Sequence, residues 1–202
     1  MYKTVIFDLG KVVVNFDFGR GYTALEGLCP HNVAEIRKRI GASGLVPQFE
    51  TGLVEPHDFV DQFSKILSLD MDYDRFAAVW SCIFLETLIP EAMIEGLARR
   101  YRLLLLSNTN AIHFEMIREN YPIIRHFHQL ILSYEVKAMK PDPAIYQAAL
   151  AAAQCKPEEC FYTDDIAEYV EGARKMGIDA VQFVSLAQLQ GDLRTRGIRW
   201  DD

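Results

Sequence analysis

The chain has 202 residues, of which 50% are hydrophobic and 24% are charged, a composition typical of a soluble globular protein. Its formal net charge of −7 excludes a general attraction for nucleic acid or anionic membranes, so we expect neither as a partner. A bound phosphate would therefore need positive charge supplied locally by a metal ion, a lysine or a helix N-terminus. The length allows one large domain, or one domain with a modest insertion, around a sizeable core.

The four cysteines, Cys29, Cys82, Cys155 and Cys160, form no Cys-x-x-Cys pair. Without neighbouring histidine ligands they indicate reduced thiols rather than a metal site or disulfides. The first apolar run is short and ends at Asp8, so we expect no signal peptide. No apolar stretch approaches the ~20 residues that a membrane span needs. These features predict a cytoplasmic protein.

The first predicted element is a strand over 4–7, an apolar run that stops at Asp8. From about 16 to 88 the sequence has no comparable strand pattern. It predicts helices over 32–40, 56–67 and 73–84, with a turn at 50–53. This stretch is too long for a simple crossover, so we expect a small helical cap inserted after the first strand.

Beyond the insertion, helical and apolar segments alternate. Helices are predicted over 90–101, 112–120, 142–154, 167–176 and 185–194, and strands over 103–106, 130–132, 160–162 and 180–184. Continuous apolar runs of this length suit strands that are buried on both faces. We therefore predict an α/β fold in which residues 1–15 and 89–202 form a three-layer, Rossmann-like parallel-sheet core and residues 16–88 form the helical cap.

Polar residues stand where the predicted strands end. They are Asp8, Ser107 and the adjacent pair Asp164 and Asp165, while Lys140 lies in a loop before a helix. Ligands of open α/β sheets bind at the carboxyl ends of the strands, so we expect these side chains to meet. Carboxylates suit Mg²⁺, one of them can attack phosphorus, and a lysine and a hydroxyl can neutralise the transferred phosphoryl group.

The order and spacing of these residues resemble the haloacid dehalogenase superfamily, over nearly the whole chain. The resemblance implies that Asp8 is a nucleophile that forms an aspartyl-phosphate, and that Ser107, Asn108 and Lys140 bind the phosphoryl group. The insertion resembles the family's C1-type cap. The segments 49–53 and 108–110 are similar to those of bacterial sugar-phosphate phosphatases and of the N-terminal phosphatase domain of soluble epoxide hydrolase. The implied substrate is a small phosphorylated metabolite.

The same resemblance implies a Mg²⁺ ion held by Asp8, the Gly10 carbonyl and Asp165, with Asp164 acting directly or through water. Two positions depart from the family pattern. Gly10 stands where the phosphatases have an aspartate that protonates the leaving group, and such general acid catalysis is typically worth about 10²–10⁴ in rate. Tyr169 stands where an asparagine commonly orients the lysine or the metal ligands.

Each of these residues also has a simpler structural explanation. Ser107 could cap the helix that follows it, and Asp164 and Asp165 could cap the helix predicted over 167–176. Lys140 could be a solvated loop residue.

Four residues near the first strand have open roles. Lys11 could lend charge to the phosphate or face solvent, and Arg20 could reach the substrate from the cap. Either Phe16 or Phe18 could face the substrate, because both follow the nucleophile loop closely.

Two other functions stay open. A carbon–halogen hydrolase would use Asp8 without a metal, although the paired Asp164 and Asp165 would then have no purpose. A non-catalytic relative that binds a phosphorylated metabolite or a partner would explain Gly10 and Tyr169. The sequence names neither the substrate nor the oligomeric state.

Overall fold

The computed structural model describes residues 1–201. Its strands are β1 (Thr4–Phe7), β2 (Val14–Phe16), β3 (Phe84–Thr87), β4 (Arg102–Ser107), β5 (Gln129–Leu132), β6 (Cys160–Asp164) and β7 (Asp179–Gln182). Its α-helices are α1 (Phe18–Glu26), α2 (Val33–Ser43), α3 (Leu45–Glu50), α4 (Pro56–Leu67), α5 (Tyr73–Ser81), α6 (Glu91–Ala98), α7 (Ala111–Asn120), α8 (Ser133–Val136), α9 (Pro143–Ala153), α10 (Ala167–Lys175) and α11 (Leu186–Thr195). Short 3₁₀ helices cover Pro122–His126 and Pro157–Glu159.

The central sheet has the order β5–β4–β1–β6–β7, and every neighbouring pair is parallel. The chain builds outward from β1 through β4 to β5, and then returns to place β6 on the other side of β1. This return makes β1 the centre of the sheet and puts a crevice at its carboxyl end. The predicted parallel α/β fold is confirmed.

The sheet is buried on both faces, which explains the continuous apolar runs. Alternate residues of β1 face opposite ways: Val5 and Phe7 join one apolar cluster, and Ile6 joins another. Leu105 and Leu106 of β4 divide between the same two clusters. Helices therefore cover both faces, and the predicted strands of the core fall within two residues of the observed ones.

Helix ends in the core follow local capping chemistry. The Asn110 side chain accepts the His113 N–H at the start of α7, and the Asp142 side chain accepts the Ala144 N–H at the start of α9, whose first residue is Pro143. A side-chain acceptor at this position satisfies an N–H that the helix cannot, and it typically stabilises by about 1 kcal/mol. The Ser185 hydroxyl acts in the same way for α11.

The insertion contains five helices, α1 to α5, which lie between β2 and β3 and pack around an apolar cluster of their own. Phe49 and Phe59 stack with ring centroids 4.0 Å apart, and Phe63 and Phe76 lie in the same cluster. Burying a phenylalanine side chain stabilises by roughly 1.5–3 kcal/mol, so this cluster can hold the small helices together. Ile112 of α7 also joins it, which ties the insertion to the core.

One predicted helix of the insertion was too long. Helix α5 ends at Ser81 instead of continuing to residue 84, and Phe84–Thr87 forms β3, which pairs antiparallel with β2. Two strands at the root of the insertion thus replace the last helical turn, because β2 offers backbone partners that helix propensity cannot reveal. The division into a core of 1–15 and 89–202 and a cap of 16–88 stays a prediction.

Within residues 1–201, the helices are too short or too polar to span a lipid bilayer.

Candidate active site

Three strand ends converge at one edge of the sheet. Phe7 of β1 pairs with Leu105 of β4 on one side and with Thr163 of β6 on the other. Asp8 follows immediately, and its N–H donates to the Thr163 carbonyl at 3.0 Å. Asp8 is therefore held by the sheet's own ladder, directly beside the end of β6.

Lys140 joins the strand ends from the loop before α9. Its Nζ donates to Asp8 Oδ1 at 2.6 Å and to Asp164 Oδ2 at 2.7 Å. It also donates to the Leu106 carbonyl at 3.1 Å and the Tyr162 hydroxyl at 3.3 Å. The Lys140 side chain is only 1% exposed, so the alternative of a solvated loop lysine is excluded.

The electrostatics of this cluster are dominated by burial. Burial raises the pKa of Asp8 to about 7, with Lys140 opposing the rise and Asp164 and Asp165 adding to it. Burial alone would lower the pKa of Lys140, but Asp8 and Asp164 attract its proton more strongly and the pKa is raised. Burial and Asp164 also raise the pKa of Asp165. Three carboxylates thus lie beside one lysine, which hydrogen-bonds to only two of them, so negative charge exceeds positive charge in the cluster.

The carboxylates fit a hard divalent cation. One oxygen each from Asp8, Asp164 and Asp165 lies within 4.8 Å of the others. Carboxylate oxygens are the ligands that Mg²⁺ prefers, and its charge would correct the imbalance. Asp164 uses Oδ2 for Lys140 and Oδ1 for the Ile166 N–H at 2.9 Å, whereas Asp165 stays outside that network. Asp165 therefore has the freer carboxylate of the pair, and its role as the direct metal ligand stays a prediction.

The capping alternative for Asp164 and Asp165 was wrong in detail. The N-cap of α10 is Ile166, and no side chain caps that helix. The Asp164 carboxylate instead accepts the N–H of Ile166 itself. Ser107 is likewise not a cap, because α7 begins after Asn110.

Ser107 and Asn108 lie where β4 ends, but their side chains have different surroundings. Ser107 is 2% exposed and lines a small cavity of about 70 Å³ together with Asn108 and Gly10. The Asn108 amide clamps the Lys140 backbone: its Oδ1 accepts the Lys140 N–H at 2.8 Å, and its Nδ2 donates to the Lys140 carbonyl at 3.1 Å. The phosphoryl-binding role of Asn108 stays a prediction, and its side chain positions Lys140.

A larger cavity of about 260 Å³ lies inside the insertion. Most of its lining is apolar or aromatic and includes Phe18, Tyr22 and Trp80. Glu50 and His113 line both this cavity and the small one beside Gly10. The two cavities therefore adjoin, with the predicted phosphate-binding residues at one end and apolar volume at the other.

The structure shows the surroundings of the four residues near the first strand whose roles were left open. Phe16 and Phe18 both line the small cavity. The Lys11 ammonium donates to Asn15 at 2.9 Å and lies 4.9 Å from the Phe16 ring centroid. Arg20 donates to the Cys82 carbonyl at 3.1 Å, which turns it toward the root of the insertion.

The sequence pattern of the haloacid dehalogenase-like hydrolases matches residues 2–177. The chain belongs to that family. Its predicted membership, and with it the hydrolase class, is confirmed.

Individual family members give the match more detail. D-ribitol-5-phosphate phosphatase from Bacteroides thetaiotaomicron is 24% identical over 189 residues, which cover 90% of this chain and 92% of that protein. A family enzyme from the same species, solved as a magnesium complex, is 27% identical with a TM-score of 0.83, covering 96% of this chain and 98% of its own. L-2-haloacid dehalogenase from Xanthobacter autotrophicus, 17% identical with a TM-score of 0.63 over 98% of this chain and 85% of its own, shares the fold.

Tyr169, one of the two departures from the family pattern, contacts the lysine directly. Its ring centroid lies 5.1 Å from Lys140 Nζ, and its hydroxyl accepts from Asn108 Nδ2 at 3.4 Å. Its carbonyl accepts the Tyr146 hydroxyl at 2.8 Å, which fixes its position. Lys140 is thus oriented by an aromatic face and by Asn108 rather than by the asparagine that commonly stands at position 169.

Tyr162 is a site residue that sequence reasoning missed. Its hydroxyl accepts a hydrogen bond from Lys140 and donates one to Asp164. Tyr162 therefore links the side chains of Lys140 and Asp164. The signal was the period of two along β6, since Tyr162 and Asp164 must point to the same face. A tyrosine inside an apolar run reads first as a core residue, and its hydroxyl was overlooked.

Proposed function

We propose that this family member is a Mg²⁺-dependent phosphatase that hydrolyses a small phosphomonoester, such as a sugar phosphate, through an aspartyl-phosphate on Asp8. The observation that carries the proposal is the meeting of Asp8, Lys140 and Asp164 at hydrogen-bond distance, with Asp165 beside them. The Asp8 carboxylate has two oxygens, so one can attack phosphorus while the other helps Asp164 and Asp165 to hold a cation. The phosphatase and magnesium-bound relatives support the same assignment.

Each residue has a distinct task in this mechanism. The Asp8 carboxylate attacks phosphorus in line, and Lys140 and the Ser107 hydroxyl hold the phosphoryl oxygens as charge moves onto them. Asp8, Asp165 and Asp164, with the Gly10 carbonyl, would hold Mg²⁺, whose charge neutralises the phosphoryl group and favours the ionised nucleophile. Water then attacks the phosphorus of the aspartyl-phosphate and regenerates the Asp8 carboxylate.

The cavity of about 260 Å³ would receive the leaving group. This cavity lies inside the insertion, next to the small cavity lined by Ser107 and Gly10, so the rest of the substrate would lie under the helices α1 to α5. A cavity of this size suits a small metabolite. Substrate choice then depends on the insertion, as the sequence predicts, while the chemistry depends on the strand ends.

The carboxylate triplet disfavours the carbon–halogen hydrolase alternative. A dehalogenation that needs no metal leaves Asp164 and Asp165 without a purpose, and placing extra negative charge beside Asp8 would hinder an incoming carboxylate substrate. The solved haloacid dehalogenase shares the fold of this chain, and a shared fold does not decide which of the two reactions occurs.

The test is a screen of sugar phosphates, nucleotides and acyl phosphates with the wild-type protein and Asp8→Asn, each with Mg²⁺ or with EDTA. We expect hydrolysis that requires Mg²⁺ and disappears in Asp8→Asn, while the thermal unfolding transition is retained. Hydrolysis that survives in Asp8→Asn or in EDTA would overturn the mechanism. A wild-type protein that binds phosphate and Mg²⁺ but turns over no substrate would favour the non-catalytic alternative.

A further inference from the structure

The structure shows why an acid at position 10 would be difficult to accommodate. A Cβ atom on Gly10 would lie 2.7 Å from Cε1 of Phe16, well inside van der Waals contact. The Phe16 ring is itself packed, with Phe18 at 4.8 Å and Phe84 at 6.3 Å between ring centroids. An aspartate at position 10 would require this ring to move. Gly10 itself has no side chain that could give a proton, so a proton for the leaving group would come from another part of the site.

Glu50 stands at the junction of the two cavities. It lines the small cavity with Gly10 and Ser107, where the phosphoryl group would bind. It also lines the larger cavity with Tyr22 and Trp80, where the leaving group would bind. The bond that breaks in a phosphomonoester joins these two parts, so Glu50 borders the place where the leaving oxygen would lie.

The backbone of Glu50 is fixed to the core. The Ser133 hydroxyl donates to the Glu50 carbonyl at 2.6 Å and accepts the Thr109 N–H at 2.9 Å. Ser133 is fully buried, so this link is shielded from water. The Lys137 ammonium donates to the carbonyl of Gly52, which lies two residues after Glu50. These contacts hold the Glu50 segment against Ser133 and, through it, against the loop that follows Ser107, although Glu50 itself belongs to the insertion.

The other titratable groups that face Glu50 are not suited to donate the proton. His113 points Nε2 at the Trp80 carbonyl at 3.1 Å, and its Nδ1 meets Asn110 Nδ2 at 3.1 Å. A carbonyl only accepts, so Nε2 carries the hydrogen and Nδ1 accepts from the amide, which occupies both nitrogens. Burial lowers the pKa of His113 to about 4, which keeps it neutral.

The remaining ionisable groups of the larger cavity are Arg37 and Tyr22. The Arg37 guanidinium lies 4.7 Å from the Tyr22 ring centroid, and an arginine does not release its proton in proteins. Neither residue lines the small cavity where the bond would break. Glu50 is thus the carboxyl group with access to both parts of the substrate.

Burial raises the pKa of Glu50 to about 7, since the carboxylate has lost water without gaining a cation. No lysine, arginine or histidine among residues 1–201 forms an ion pair with it. A carboxyl that is part protonated near neutral pH can give a proton and take it back.

We propose that Glu50 is the general acid and base of the reaction, in place of the aspartate missing at position 10; this rests on the proposed phosphatase function. As Asp8 attacks phosphorus, the bond from phosphorus to the leaving oxygen breaks and the Glu50 carboxyl gives its proton to that oxygen, which leaves as an alcohol. Water then attacks the aspartyl-phosphate, its proton passes to the Glu50 carboxylate, and the bond from phosphorus to Asp8 breaks. Phosphate and the starting enzyme result, and one water is consumed.

The test compares wild-type protein with Glu50→Gln on two substrates, in the presence of Mg²⁺. One is the best alkyl phosphate of the substrate screen, whose alkoxide leaves poorly, and the other is 4-nitrophenyl phosphate, whose phenolate leaves well without a proton. The value compared is kcat/KM, because it reports only the steps up to phosphoryl transfer to Asp8. We expect a fall of about 10²–10⁴-fold for the alkyl phosphate and a change within about threefold for the aryl phosphate.

Glu55→Gln is the matched control, since Glu55 lies five residues away, is exposed and lines neither cavity. It should match the wild type on both substrates. Equal losses on both substrates in Glu50→Gln would show a binding or structural role and overturn the proposal, as would no loss on either. Retained activity toward the aryl phosphate shows that the variant is folded. A wild-type protein inactive on both substrates would instead refute the phosphatase function itself.

Discussion

Replacing Glu50 by glutamine removes one ionisable group and keeps the size of the side chain. The effect on stability follows from linkage. Burial raises the pKa of Glu50 from 4.5 to about 7, so the folded state binds its proton more tightly than the unfolded chain does. The contribution of Glu50 to the free energy of unfolding is therefore fully present below the unfolded-state pKa of 4.5. It is lost as the pH rises through the folded-state pKa of about 7. Glutamine does not titrate, so the variant escapes the loss.

The size of the effect follows from the pKa shift. One pKa unit corresponds to about 1.4 kcal/mol, so the shift of Glu50 costs the wild type at most about 3 kcal/mol at alkaline pH. Between about pH 5.5 and pH 8.5 the stability advantage of Glu50→Gln should grow by roughly 2 kcal/mol. Above that range the gap should be constant, because Glu50 is then ionised in both states.

The assay is urea unfolding of both proteins, in EDTA, at a series of pH values, with Glu55→Gln as the exposed control. The difference in the free energy of unfolding between Glu50→Gln and wild type isolates this one carboxyl from every other titrating group. A difference that does not change with pH would refute the burial of the Glu50 carboxyl, and with it the reasoning about its protonation.

Three further predictions address the insertion, the lysine and the metal. Gly52→Ala should destabilise the protein by about 1–3 kcal/mol in thermal unfolding, because the φ of Gly52 is +67° and a Cβ there would collide with the Tyr134 carbonyl. Gly41 lies in a helix with open space around it, so Gly41→Ala should stabilise the protein by up to about 1 kcal/mol. The reverse order would contradict the contact between the insertion and the core. Tyr162→Phe removes the hydroxyl that links Lys140 and Asp164, and we expect kcat/KM to fall by about 10–100-fold with the fold retained; unchanged kinetics would show that the link is unimportant. Mg²⁺ should raise the midpoint of thermal unfolding of the wild type and much less that of Asp165→Asn; equal shifts would place the ion elsewhere.

The strand ends could be predicted from sequence because they combine two local signals. An apolar run that stops at an acid, such as the one ending at Asp8, reports both a buried strand and its polar end. In a parallel sheet such ends lie at one edge, so the sequence alone could predict that Asp8, Ser107 and Asp164 lie close together. Lys140 was singled out beside these strand ends, but it lies in a loop, so no strand pattern could predict which side chains it would contact.

Other features depend on contacts that the sequence does not announce. Glu50 was visible as part of a turn, but its place between the cavities depends on the Ser133 hydroxyl, 83 residues further along the chain. The strand at Phe84–Thr87 exists because Val14–Phe16 pairs with it, which local propensity could not show. Phe16 was noted as a possible substrate contact, yet its packing against position 10 appears only in three dimensions.

The central claim, that Asp8 is phosphorylated during turnover, can be tested by chemical trapping. The wild-type protein and Asp8→Asn would be mixed with substrate and Mg²⁺, quenched in acid within the first turnover, and treated with borohydride, which reduces an aspartyl-phosphate to homoserine. Mass spectrometry of the peptide containing residue 8 should show homoserine in the wild type and none in the variant. Hydrolysis by the wild type without any trapped adduct at Asp8, or with an adduct at another carboxylate, would contradict the account.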